Sequence, residues 1–90
     1  MAIGVLFETG ATKEQYEAIL RGLDQAGLAA PQGRLLHIAG PSANGWRVVD
    51  VWESPDAFRS FAAQLLPLVN GVGVPPFEPA IFPLENVIGL

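Results

Sequence analysis

The chain has 90 residues, carries a net charge of −4 and contains no cysteine, and half of its residues are hydrophobic while only 16% are charged. That length gives one domain, and a domain so small buries only about 60–65% of the surface its unfolded chain exposes. The five basic residues (Lys13, Arg21, Arg34, Arg47, Arg59) are scattered and form no stripe, so nucleic acid is not an expected partner. Nor is a membrane: there is no basic amphipathic helix, and no apolar run approaches the roughly 20 residues of a transmembrane span. Without cysteine there is no disulfide, no thiolate nucleophile and no cysteine-containing metal site. A mean hydropathy of +0.34 is high for a small monomer, which points to apolar side chains shared with a second chain. The N-terminus lacks the charged region and apolar run of a signal peptide, so the expected location is the cytoplasm.

In chain order, Ala2 to Glu8 reads as a first strand with two apolar faces, Ala2/Gly4/Leu6 and Ile3/Val5/Phe7, as in a central strand. Thr12-Lys13-Glu14-Gln15 is a capping box that starts a helix, and Tyr16, Ile19, Leu20 and Leu23 give it one apolar stripe. Gly27 fits its C-cap, and Pro31 lies in the loop that follows. Gly33 to Gly40 is a second strand, with Leu35, His37 and Ala39 on one face and Arg34, Leu36 and Ile38 on the other. Pro41-Ser42-Ala43-Asn44-Gly45 is a hairpin turn.

The third strand, from Gly45 to Trp52, puts Trp46, Val48, Asp50 and Trp52 on one face and Arg47, Val49 and Val51 on the other. It runs straight into a second helix, with Ser54 as N-cap, Pro55 at the first helical position and Asp56 in the first turn. The helix stripe is Phe58, Phe61, Ala62, Leu65 and Leu66, and Pro67 should kink or restart the helix. Asn70 to Gly73 ends it. Phe77 to Ile88 reads as a last strand, whose two prolines, Pro79 and Pro83, share a parity that suits only an edge.

The order β-α-β-β-α-β predicts an α+β fold, the ferredoxin-like plait with a four-stranded antiparallel sheet in spatial order 4-1-3-2 and both helices on one face. The other face of the central strands is apolar too, and no element remains to cover it. A homodimer joined through its sheet faces follows.

Gly33-Arg34-Leu35 leading to His37 and Gly40-Pro41, the run GWRVVDVWES with Phe58 after it, and the closing IFPLENVI resemble the dimeric α/β-barrel proteins of the antibiotic biosynthesis monooxygenase-like superfamily. The likeness is to short bacterial members and covers nearly the whole chain, with Trp52-Glu53-Ser54 its most specific element. It implies homodimers in which two sheets form a barrel, with ligand pockets between the helices and the sheet of each subunit. It also implies a range of activities: cofactor-independent monooxygenases, haem-degrading oxygenases, muconolactone-type isomerases and polyketide cyclases. Haem-degrading members carry a tryptophan like Trp52 with a ligating histidine on the second helix. The lone histidine here is His37 on the second strand, so no haem, and no other cofactor, is expected. The asparagine that anthrone-type monooxygenases place on the strand ending in the tryptophan is also missing.

Asp50 is an isolated carboxylate between two tryptophans on a face expected to be buried, where it needs a partner. A two-residue turn at Ala43-Asn44 would set His37 opposite Asp50, and one at Asn44-Gly45 would set it opposite Trp52. Either turn puts the histidine on the carboxylate's face. A carboxylate beside an imidazole fixes its tautomer and stabilises its charged form, which suits proton transfer near neutral pH; it also suits a purely structural hydrogen bond that orders the sheet. The candidate catalytic residues are therefore His37 and Asp50, with Trp52, Tyr16 and Phe61 as candidate substrate-binding residues around a small apolar ligand. Metal binding has no recognisable ligand set. Two functions stay open: a cofactor-independent isomerase, cyclase or monooxygenase that abstracts a proton from an apolar cyclic or aromatic substrate, and a non-catalytic binding or assembly protein using the same pocket.

Overall fold

The computed structural model describes residues 1–89. Its elements are β1 (Ile3–Thr9), α1 (Lys13–Gln25), β2 (Arg34–Ser42), β3 (Gly45–Trp52), α2 (Pro55–Gly71) and β4 (Ala80–Pro83). The four strands form one antiparallel sheet in the order β2-β3-β1-β4. This is the ferredoxin-like α+β plait, with β1 and β3 central.

The helix starts obey the local signals. Thr12 accepts from the Gln15 backbone while the Gln15 side chain accepts from the Thr12 backbone, a complete capping box. Ser54 caps α2 by accepting from Ala57, with Pro55 at the first position. Gln15 also donates to the carbonyl of Val72, tying the start of α1 to the end of α2.

One sheet face carries the core. Ile3, Val5 and Phe7 of β1 lie opposite Trp52, Asp50 and Val48 of β3, and the helices add Leu23, Phe58 and Phe61. In α2 the buried residues are Phe58, Phe61 and Val69, while Leu66 is exposed. At about 100° per residue, Leu66 stands about 80° round the helix from Phe58, off the stripe that Val69 completes. Pro67 does not interrupt the assigned helix, which runs unbroken to Gly71. Only the last turn follows the proline, so few helical hydrogen bonds depend on it.

The last strand is shorter than the sequence suggests, Ala80–Pro83 instead of Phe77–Ile88. It does occupy the edge, beside β1 alone. The amide of Leu84 donates to the carbonyl of Ala2 at 3.0 Å, so residues of even number turn their amides toward β1. Pro79 and Pro83, of odd number, face away from the ladder and cost it nothing.

Among the described residues no element covers the opposite sheet face. Leu6, Leu36, Val49 and Val51 are half-buried there, and Ile38 and Phe82 are 53% and 44% exposed.

Candidate functional site

The β2–β3 hairpin sets the site's register. Ser42 pairs with Gly45, so the turn is Ala43-Asn44 and His37 stands directly opposite Asp50. Neither central turn residue has positive φ. Gly45 is required by proximity instead: a Cβ there would collide with the Thr9 carbonyl oxygen.

Asp50 is 2% exposed and fully partnered. Its Oδ1 is 2.7 Å from His37 Nδ1, and its Oδ2 accepts from Trp52 Nε1 at 3.2 Å. The far side of the imidazole is also engaged, with His37 Nε2 2.6 Å from the Tyr16 hydroxyl. A buried carboxylate that accepts from an indole N–H holds its negative charge best when the imidazole donates as well. The proton then sits on Nδ1, Nε2 is a lone pair, and Tyr16 donates to it. The four side chains form one chain of hydrogen bonds from α1 across β2 to β3.

Tyr16 was legible in the sequence as part of the α1 stripe; its hydrogen bond to the imidazole depends on how α1 crosses the sheet. Trp52 has no exposed surface. It packs on Phe58 and Phe61 at ring-centroid distances of 5.7 and 5.1 Å and lies behind Asp50, outside the cavity lining. Its role in the site is to hold the carboxylate, so the expected direct contact with a ligand gives way to a supporting one. Phe61 does line the cavity, as do Tyr16, His37 and Asp50.

That cavity lies between the helices and the sheet, opens to solvent on one side and has a volume of about 70 Å³. Its walls are mostly aliphatic and aromatic, among them Phe7, Ile19, Val48 and Phe77.

One lining residue was misplaced by the strand alternation. Arg34 was expected on the open face, but the β2–β3 register slips between Arg34 and Leu36. The extra residue, Leu35, is 52% exposed, and Arg34 lines the cavity with Cζ 5.9 Å from the centre of the Phe61 ring. Trp46, on the expected face, stacks obliquely on Tyr16 at 5.2 Å and also lines the cavity.

Burial pushes the Tyr16 phenol above its usual pKa, the Asp50 charge adds to this, and Arg34 opposes it. Tyr16 is the only tyrosine, so absorbance at 295 nm reports it alone. The expected midpoint lies above about 10, and Arg34→Gln should move it further up. Because the folded state holds this proton more tightly than the unfolded chain, stability present below pH 10 is lost as pH rises through the folded value. A midpoint at or below that of free tyrosine would contradict the geometry.

No protein-family model matches the chain, and neither does any curated protein. The fold itself is that of antibiotic biosynthesis monooxygenase-like proteins. The Rv0793 protein of Mycobacterium tuberculosis superposes with a TM-score of 0.69 at 15% identity, over 99% of this chain and 100% of its own. A candidate antibiotic biosynthesis monooxygenase of Deinococcus radiodurans gives 0.65 at 15% identity, over 100% and 98%. The Streptomyces coelicolor monooxygenase from the gene ActVA-Orf6, solved with the ligand nanaomycin D, gives 0.52 at 20% identity, over 99% and 91%. At these identities the shared property is the fold.

Proposed function

We propose that the protein is a cofactor-independent enzyme of isomerase, cyclase or monooxygenase type that abstracts a proton from a small apolar cyclic or aromatic substrate. The observation that supports this reading is the opening of one apolar cavity onto both His37 and Asp50, with the imidazole held at both nitrogens. A purely structural pair would be sealed in the core; His37 is 23% exposed. In this reading the substrate's acidic hydrogen passes to the Tyr16 oxygen as the Tyr16 proton passes to His37 Nε2. Asp50 stabilises the imidazolium formed, and Trp52 keeps Asp50 in place. Phe61 and the aliphatic walls exclude water. The reading is tested by exchange of substrate C–H hydrogen for deuterium, followed by NMR, in the wild type and in His37→Gln.

The same proposal has the enzyme working in the cytoplasm as a homodimer. Its occupant for the open sheet face is a second copy, because that face is apolar at its centre and charged only where Glu8 pairs with Arg47 at the hairpin end. Sedimentation equilibrium should give a dimer at micromolar concentration and a monomer for Ile38→Glu. A wild-type monomer would refute this assembly.

A further inference from the structure

The cavity's polar atoms divide unevenly between donors and acceptors. The Asp50 oxygens are taken by His37 and Trp52, and His37 Nε2 is taken by Tyr16. The Thr9 hydroxyl donates to the Trp46 carbonyl and accepts from the Ala11 amide. Besides the Tyr16 oxygen, which can still accept, the lining groups left with donors to spare among the described residues are Trp46 and Arg34. Trp46 Nε1 is buried with no acceptor. Arg34 makes one hydrogen bond, from Nη2 to the Ala29 carbonyl at 3.1 Å, and among the described residues no carboxylate stands within salt-bridge distance of it.

Arg34 also reaches the cavity by a specific construction. A regular strand would turn it to the open face; the bulge at Leu35 turns it inward. Gly33 before it has φ +91°, and a Cβ there would lie 2.7 Å from that of Ala57, so only glycine brings the chain into this bend. The guanidinium then lies over the Phe61 ring, with Cζ 5.9 Å from its centre.

We infer that Arg34 is the substrate-selecting residue of this cavity, and that the ligand is a flat apolar ring system bearing an anionic oxygen, carboxylate or enolate, that pairs with its guanidinium. A neutral ligand would leave the guanidinium with its single hydrogen bond to the Ala29 carbonyl and no charged partner. An anion satisfies it with charge-assisted hydrogen bonds of fixed geometry, and the Trp46 indole N–H offers the same ligand a second donor. The charge that builds on an oxygen when a neighbouring C–H is ionised would meet the same guanidinium. Naming the ligand's charge in this way rests on the cavity being the binding site of the proposed function.

The test is calorimetric titration with 2-naphthoate and its neutral analogue 2-naphthamide, which share one ring system. The expected result for the wild-type protein is about tenfold or more tighter binding of the carboxylate. Arg34→Gln should bring the two ligands to near-equal affinity, and Arg34→Lys should restore part of the preference. Near-equal binding in the wild type, a preference that survives Arg34→Gln, or no binding of either ligand would overturn the assignment. A carboxylate preference without deuterium exchange would sink the catalytic reading and keep the anion site, and exchange without the preference would do the reverse.

Discussion

Asp50→Ala should cost about 2–4 kcal/mol of stability, the largest loss expected from any polar substitution in the chain. The change removes the one acceptor shared by His37 Nδ1 and Trp52 Nε1. Water can partly replace it for His37, which is 23% exposed. No water reaches Trp52, whose indole has no exposed surface, so its N–H keeps the full penalty of a buried unsatisfied donor, about 1–3 kcal/mol. A domain of this length has only about 5–13 kcal/mol in all, and Tm should fall by on the order of 10–25 °C. Asp50→Asn should cost less, because its carbonyl still accepts from Trp52. Thermal and urea unfolding of the variants decides the matter: if Asp50→Ala lies within 1 kcal/mol of the wild type, the carboxylate is not the organising centre described here.

The second large effect is on chemistry. His37→Gln keeps a donor toward Asp50 but has no group that can take a proton at neutral pH. Positioned acid–base catalysis contributes about 10²–10⁴-fold, so exchange or turnover should fall by that factor while Tm moves little. Tyr16→Phe should fall less steeply, since the freed Nε2 faces the cavity and can take the proton itself. Equal rates for His37→Gln and the wild type would make the histidine structural and leave the catalytic proposal without its base.

The strand and helix order, the capping signals and the edge placement of the proline strand were all readable from residue type, because each is set by local chemistry. His37 and Asp50 were readable as a pair because hairpin parity survives uncertainty in the turn. Their exact opposition needed the turn itself, which Gly45 decides through contact with a strand distant in sequence. Leu66 and Arg34 were misplaced for a common reason: both sit where a regular period fails to describe the side chain. For Leu66 the helix had turned past its stripe, and for Arg34 one inserted residue reversed the strand's alternation. Neither Trp52's withdrawal behind Asp50 nor the bond from Tyr16 to His37 has a signature in sequence, since each depends on how a helix lies across the sheet.

The placement of the two indoles has a practical outcome. Trp52 is sealed in the core while Trp46 lies against the cavity, so the chain carries two native fluorophores in unlike surroundings. A quencher dissolved in the solvent reaches Trp52 only when the domain opens, whereas a ligand that fills the cavity sits beside Trp46. Emission from single-tryptophan variants would then follow unfolding and occupancy on separate channels, with no dye attached.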